Sequence, residues 1–409
     1  MKTIKLTRDD TNSLSSFKFY NEILKDVSEF YHSVDFDNKP PIFAFTENSL
    51  VDPIVLPLII SLGNYLKKFH NNNPIDLDLT NNYSTNNLIK FLDSSDFFNL
   101  VGKNQNPTFP KGLNIFEFDE RIPNDYRNKS IQRSDHKLRS YSLNDDNLKN
   151  RLLEFEPEES QRDFLIEYYT YLVENHFGTL LNDKEVTSER RVEFIDILSE
   201  LITNGLIHSK SEVFIMVFSN RFKTSFSISD NGIGLFNSIS VKKSNEFYEN
   251  MTVFNQLKKE VKFKMSEKVQ ESAFSIFESL YYSILKDRQG LFDLMCNVVI
   301  NCNGYFRLHN DYVQIIVSSR MNDELNELCK IRNKIIEIFN KKRWDIISEQ
   351  ESNSEIKILS SEAKTKIVLL AKNIFSKYSE DTRFSAIRIF NVQFKGVHIE
   401  AEIPQNKVN

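Results

Sequence analysis

The feature that most constrains the fold is a helix followed by a two-strand hairpin and a glycine turn, all within residues 188–234. Residues 213–218 are a continuous apolar run typical of a buried strand, and residues 224–229 alternate between polar and apolar. The two segments together predict a β-hairpin that follows the helix. The helix, at residues 188–208, carries an apolar stripe at helical spacing formed by Val192, Ile195, Leu198, Ile202 and Gly205.

Two polar residues interrupt the apolar surface of this predicted helix. Glu200 and Asn204 are four positions apart, so their side chains share one face, with Cβ atoms roughly 6 Å apart. A carboxylate can activate water for attack on a phosphate, and an amide oxygen can bind Mg²⁺ between phosphate oxygens. The same spacing is common on solvated helix faces, so its meaning depends on the surrounding sequence.

The glycine turn directly follows the second predicted strand. The string DNGIG at 230–234 places the Asp230 carboxylate at a strand end, where it can accept a hydrogen bond from the exocyclic amine of adenine. Gly232 and Gly234 permit a tight turn and the close approach of a ligand to the backbone. An isolated turn of this kind is also frequent in hairpins, so it is not specific on its own.

Taken in order, the two motifs resemble the N box and G1 box of the GHKL (Bergerat-fold) ATPases, which include gyrase B, Hsp90, MutL, histidine kinases and anti-sigma serine kinases. The string ELITNGLIHS at 200–209, followed by DNGIG, carries the resemblance. It implies that Glu200 is the catalytic base, that Asn204 binds Mg²⁺, and that Asp230 accepts the adenine amine.

The same resemblance implies further contacts with ATP. On the phosphate side, the string DRQGL at 287–291 stands before a predicted helix, where family members carry several glycines and this chain retains one. Gly396, at the start of the predicted closing strand at 396–404, resembles the last conserved glycine of the family's motifs. The residues expected to contact ATP, besides those named above, are His208, Gly232, Gly234, Arg288, Gly290 and Gly396.

A GHKL domain is expected at residues 151–409, as an α/β sandwich of a mixed sheet with helices on one face. Residues 236–287, rich in phenylalanine, fall where family members carry an ATP lid. They are either a helical insertion with its own small core or a lid that reorders with nucleotide. The charged helical pattern of residues 321–380 predicts a second insertion.

The first 120 residues predict a small α/β domain. Strands are predicted at 42–45, 75–79 and 113–118, with one helix after Asp52-Pro53 and another at 85–91. This block resembles STAS (anti-sigma antagonist) domains, although Asp52-Pro53 stands where those domains carry a phosphorylatable Ser or Thr. Residues 121–150 are polar without aliphatic periodicity, which predicts a linker or a long surface loop.

Charge and composition narrow the choice of partners. The 409 residues carry a formal net charge of −5, which gives no electrostatic reason to expect nucleic acid as a partner. The longest apolar run, near residues 54–62, is too short to cross a bilayer. Three cysteines without metal-binding spacing, and a first segment without a signal sequence, favour a cytoplasmic protein.

The expected function is therefore ATP binding, with slow Mg²⁺-dependent hydrolysis, in a bacterial regulatory or defence system where nucleotide state controls a lid and a partner interface. Two alternatives stay open: a protein kinase of histidine-kinase or anti-sigma type, and a non-enzymatic nucleotide-gated regulator. For a histidine kinase, the nearest candidate phosphoacceptor is His176, which no acidic residue follows directly. A protein partner is expected at the STAS-like block or the lid, and the oligomeric state is open, a homodimer being one option.

Overall fold

The chain forms an α/β structure with two sheets, one parallel and one antiparallel. A computed structural model describes residues 3–6, 13–33, 39–46, 50–80, 85–106, 110–127, 135–144, 146–155, 158–182, 185–209, 211–261 and 265–405. Within these ranges, no helix combines the length and the apolar character needed to cross a membrane.

The N-terminal sheet has four parallel strands, each paired with the next along the chain. Its strands are β1 (Thr3–Lys5), β2 (Ile42–Phe45), β3 (Ile75–Leu79) and β4 (Phe116–Glu117). The helices of this block are α1 (Ser16–Lys18), α2 (Leu24–Tyr31), α3 (Leu56–Phe69), α4 (Asn86–Ser94) and α5 (Phe97–Val101). Buried and exposed residues alternate along β3, so one face of the sheet carries the core.

The C-terminal sheet has five strands in the order β5-β6-β7-β9-β8. They are β5 (His136–Tyr141), β6 (Val213–Ser219), β7 (Lys223–Asp230), β8 (Tyr305–Val317) and β9 (Ile387–Pro404). A tight turn joins β6 to β7, and β9 lies between β7 and β8, antiparallel to both. The expectation of a mixed sheet was therefore wrong, because every described pair of neighbouring strands in this sheet is antiparallel.

The remaining helices, in chain order, are α6 (Arg121–Arg127), α7 (Asp146–Leu152), α8 (Glu158–Asn182), α9 (Glu185–Ser188), α10 (Arg191–Asn204), α11 (Gly234–Ser240), α12 (Thr252–Glu260), α13 (Glu267–Ile284), α14 (Leu291–Cys296), α15 (Asn322–Arg343) and α16 (Glu349–Phe375). Of these, α8, α10 and α12 to α16 are the outer helices, which share one hydrophobic core with one face of the antiparallel sheet. α15 and α16, which follow β8 and precede β9 in the sequence, pack against each other. α16 also contacts α12 and α13.

The opposite face of the antiparallel sheet is covered by α3 of the N-terminal block. α3 packs against β6 and β7, and most of its residues up to Leu66 are buried on all sides. A helix that lies between two sheets needs such an apolar circumference. Phe43 of β2 and Phe214 and Met216 of β6 belong to one continuous core. The layers therefore run from the parallel sheet through α3 and the antiparallel sheet to the outer helices.

The polar segment at 121–150 is not a plain linker or surface loop. Residues 128–134 and 145 lie outside the described residues, but His136–Tyr141 forms the edge strand β5, which pairs with β6. An edge strand can be largely polar, because burial of a few side chains, here His136, Leu138 and Tyr141, is sufficient to attach it to the sheet.

Two smaller expectations also differ from the structure. The strand predicted at 113–118 pairs only at Phe116–Glu117. Val192 was expected in the core stripe but is 69% exposed, because it lies on the side of α10 opposite to the buried residues Phe194 and Leu198.

Candidate functional site

A cleft lies among the outer helices, at the end of β7. It encloses about 980 Å³ of space free of protein atoms, and this volume includes space that is open to solvent. α10, α11, α13 and β9 contribute to its walls. The residues expected from the sequence that line it are Glu200, Asn204, His208, Asp230, Gly234 and Gly290.

α10 presents Glu200 and Asn204 to the cleft on one face, as their spacing predicts. Nδ2 of Asn204 donates a hydrogen bond to Oε1 of Glu200 over 3.2 Å. Arg162 of α8 donates through a single nitrogen, Nη2, to Oε1 of Glu200 and to Oδ1 of Asn204, the latter at 2.9 Å. Glu200 is buried, and its Oε2 accepts no hydrogen bond from the described residues. The cluster therefore offers one free carboxylate oxygen.

Asp230 stands at the end of β7, in the part of the cleft with apolar walls. Its carboxylate accepts hydrogen bonds from the backbone N–H of Gly232, at 2.8 Å, and of Val397. Burial raises the pKa of Asp230 to about 7, although these two hydrogen bonds act in the opposite direction. The apolar residues that line the cleft include Leu201, Val213, Ile228, Ile239, Val397 and Ile399. This end is suited to a flat apolar group with a hydrogen-bond donor.

Two glycines allow the backbone to close this end of the cleft. Gly234 has φ +76°, and Gly396 has φ +118°, both in the region that disfavours other residues. A Cβ on Gly396 would lie 2.2 Å from the carbonyl oxygen of Asp230. Gly232 and Gly396 thus contact Asp230 through the backbone, and neither belongs to the cleft lining itself.

The other end of the cleft is rich in positive charge. Nζ of Lys286 lies 4.9 Å from the ring centroid of Tyr282, and it forms no ion pair or hydrogen bond within the described residues. Burial, followed by the charge of Arg162, lowers the pKa of Lys286 to about 7. Nζ of Lys242 donates to Nε2 of His208 over 2.9 Å. Burial and then Lys242 lower the pKa of His208 to about 3, so this imidazole is neutral at physiological pH.

A second cleft continues from this charged end. Arg162, Lys242, Lys286 and Arg288 line it, and it extends to Phe339 of α15. Arg288 does not line the first cleft, and it forms an ion pair with Asp163 of α8. An excess of cations over carboxylates in a concave site attracts anions. The charged end and this second cleft are therefore suited to a ligand with several negative charges.

The glycine-poor loop before α14 is held in place by a residue of the C-terminal helices. Nη1 of Arg332, on α15, donates to the carbonyls of Ile284, at 2.9 Å, and of Lys286. Its Nε donates to Oδ1 of Asp293 over 2.9 Å, and Oδ2 of Asp293 accepts the N–H of Gly290 over 2.8 Å. Arg332 is almost fully buried. A buried guanidinium thus fixes the loop that carries Lys286 and Gly290.

The helical stretch at 236–287 is packed into the same core as the sheet. α13 contacts β8, and Glu278 of α13 accepts hydrogen bonds from the hydroxyl of Tyr248, at 3.0 Å, and from the N–H of Phe254, at 2.9 Å. The rings of Phe254 and Phe274 lie 5.8 Å apart. α12 is therefore attached to α13 by buried polar and aromatic contacts.

Sequence reasoning missed several residues of the site, namely Arg162, Lys242, Lys286 and Arg332. Lys286 stands beside the string that drew attention to Arg288, so that string contained the necessary signal. Arg162 and Arg332 lie on helices distant in sequence from the motifs, and no spacing rule connects them to the cleft. His176, the nearest candidate phosphoacceptor, lies outside the lining of the cleft and pairs through Nδ1 with the hydroxyl of Tyr141 over 3.0 Å.

Within the described ranges, no group of three or more His, Cys, Asp or Glu side chains is arranged to hold a metal ion. Comparison of the chain with protein-family models, with curated proteins and with solved structures gives no match.

Proposed function

We propose that the cleft binds ATP and that the chain is a slow Mg²⁺-dependent ATPase of the GHKL type. Adenine would lie at the apolar end, with its amine at Asp230, and the phosphates at the end lined by Lys242 and Lys286. The observation that carries the proposal is that Glu200, Asn204 and Asp230 line one cleft, although they lie on different elements.

The apolar end matches the chemistry of an adenine ring. A ring of this kind gains from burial between aliphatic side chains, and its amine needs an acceptor where water is excluded. Asp230 is such an acceptor when it is ionised, and it is held by the N–H groups of Gly232 and Val397. The close approach of Gly396 to the backbone of Asp230 and Asn231 leaves no space for a side chain at position 396.

The charged end matches a polyphosphate. Lys286 has no counter-ion among the described residues and would gain one from a phosphate oxygen. Cations are needed here because this chain lacks most of the glycines whose N–H groups bind phosphates in the family it resembles. Arg332 compensates for their absence by fixing the loop, so that Lys286 is directed into the cleft.

In hydrolysis, Glu200 takes a proton from a water molecule whose oxygen forms a bond to the terminal phosphorus of ATP. The bond from that phosphorus to the bridging oxygen breaks, and its electron pair leaves with ADP. Glu200 then returns the proton to the products, ADP and inorganic phosphate. Glu200 fits this role, because it lines the cleft and its Oε2 has no hydrogen-bond partner within the described residues.

Mg²⁺ would supply charge neutralisation between the phosphates and would be bound by the amide oxygen of Asn204. One protein ligand is in keeping with the preference of Mg²⁺ for phosphate and water oxygens. In the structure, however, Oδ1 of Asn204 accepts a hydrogen bond from Arg162. Arg162 must release this oxygen before it can serve a metal.

The test is phosphate release and ATP binding by the wild type and by Glu200→Gln. The variant should bind ATP with little change and release phosphate at least about a hundredfold more slowly, which is the usual contribution of a positioned base. Glu193→Ala is the matched control, because Glu193 lies on the same helix but pairs with Arg190 away from the cleft. Equal phosphate release by wild type and Glu200→Gln would contradict the role of Glu200.

The same assay separates the alternatives. ATP binding without phosphate release in the wild type would identify a nucleotide-gated regulator, and transfer of labelled phosphate to a protein would identify a kinase. We infer a cytoplasmic location, where ATP is present and where Cys296, Cys302 and Cys329 would stay reduced, in keeping with their free thiols. Nucleotide state would act on a partner through the segment 236–287 or through the N-terminal block.

A further inference from the structure

Arg162, which lines the second cleft, forms hydrogen bonds with both Glu200 and Asn204. It lies near the start of α8 and reaches α10, where its Nη2 donates to both side chains. The Arg162 side chain is 20% exposed, and that of Glu200 is 4% exposed. Nε of Arg162 has no hydrogen-bond partner within the described part of the chain. Its guanidinium therefore retains donors for another acceptor.

The ion pair between Arg162 and Glu200 is not the only contact that holds α8 against α10. Glu174 of α8 and Arg191 of α10 form a second ion pair between the same helices, outside the cleft. Buried side chains such as Val173 and Leu198 also join these helices to one core. The contacts between α8 and α10 therefore do not explain why Arg162, a third cation, lies next to Lys286 and Lys242.

The charges around Arg162 favour an anion beside it. Arg162 lowers the pKa of both Lys286 and His208, although burial has the larger effect on each, so these groups interact across the cleft. Arg162, Lys242 and Lys286 all line the second cleft, and of these three cations Arg162 is the one that forms an ion pair with Glu200. An added anion would relieve their repulsion, and a guanidinium pairs well with phosphate.

We propose that Arg162 binds the terminal phosphate of ATP and thereby determines the preference of the site for ATP over ADP. The inference rests on the proposed function and names the residue that distinguishes the two nucleotides. When Arg162 moves from Asn204 to the phosphate, Oδ1 of Asn204 becomes available to Mg²⁺. Arg162 would thus couple occupation of the terminal phosphate position to metal binding.

The experiment measures the dissociation constants of ATP and ADP by calorimetry, without turnover, for the wild type, Arg162→Ala, Arg162→Lys and Arg191→Ala. The wild type should bind ATP more tightly than ADP. Arg162→Ala should lose about tenfold to a hundredfold in ATP affinity, the usual range for a charge-assisted hydrogen bond, while ADP affinity stays constant. Arg162→Lys should restore part of the preference, and Arg191→Ala should leave both constants unchanged.

Arg162→Ala leaves Glu200 buried without its partner, which can destabilise the fold. The same comparison is therefore made between Glu200→Gln and Glu200→Gln with Arg162→Ala, where the unpaired charge is absent. Loss of the ATP preference in the double variant supports the proposal. An unchanged ratio of ATP to ADP affinity, or an equal loss for both nucleotides, overturns it. Failure of the wild type to bind either nucleotide would instead overturn the proposed function.

Discussion

Asn231 and Ser61 are joined by a hydrogen bond of 3.1 Å, from Nδ2 of Asn231 to the carbonyl oxygen of Ser61, although they lie in different halves of the chain. The hydroxyl of Ser61 also donates to that of Ser229 over 2.9 Å. α3 of the N-terminal block therefore supports the turn that follows Asp230. The cleft depends on residues that the sequence pattern assigns to a separate domain.

The first prediction concerns this dependence. A fragment of residues 135–409 lacks α3, so Phe214 and Met216, which are buried in the shared core, become exposed. Because an uncovered apolar sheet face promotes association, we expect the fragment to aggregate or to bind a hydrophobic dye. Size-exclusion chromatography and dye fluorescence, with the full chain as control, measure this. A monomeric fragment with a cooperative thermal transition would show that the N-terminal block is dispensable for folding.

The second prediction concerns Arg332. Its replacement by Ala leaves Asp293 and the carbonyls of Ile284 and Lys286 without their donor, so the free energy of unfolding should fall by about 3–5 kcal/mol. ATP affinity should also fall, since the loop that carries Lys286 loses its support. Urea denaturation and calorimetry measure the two effects.

Arg343→Ala is the matched control for Arg332, since Arg343 ends the same helix and is exposed. We expect it to change the free energy of unfolding by less than about 0.5 kcal/mol. If Arg332→Ala were as mild as this control, the loop would have to be held by other contacts.

Some of this arrangement follows from the sequence, and some of it does not. Glu200, Asn204 and Asp230 could be found because they are close in sequence and their spacing fixes a shared face or a strand end. α3 could be recognised as a helix, but its two-sided burial depends on a sheet formed by residues far along the chain. Arg162 reaches Glu200, and Arg332 reaches the loop that carries Lys286, through tertiary packing that local periodicity does not encode.

The third prediction follows from the pKa of Asp230, which burial raises to about 7. Because the amine of adenine needs the ionised carboxylate, affinity for adenosine should rise about tenfold between pH 6 and pH 8, as the ionised fraction increases. Adenosine is chosen because it lacks phosphates, so its affinity does not depend on the charge of Lys286. Calorimetry on the wild type and Asp230→Asn measures the effect, and the variant should show no such rise. A flat profile in the wild type would contradict the assignment of Asp230.

The fourth prediction concerns Lys286, whose pKa burial and Arg162 lower to about 7. Its positive charge is present below pH 7 and lost above it, so the ratio of ATP affinity to adenosine affinity should fall severalfold between pH 6 and pH 8. Lys286→Gln should show a smaller change in this ratio. Both proteins bind the same ligands, so any effect of the titration of ATP itself is common to both and cancels in the comparison. Identical profiles for wild type and variant would exclude Lys286 from phosphate binding.

The central claim is that a nucleotide occupies the cleft with its base amine at Asp230. The most direct measurement compares the binding of ATP and of inosine triphosphate to the wild type, because the second nucleotide carries a carbonyl where adenine carries the amine. We predict that ATP binds at least about tenfold more tightly, since the carbonyl would face a carboxylate without a donor. Equal affinity for the two nucleotides, or binding of neither, would contradict the account.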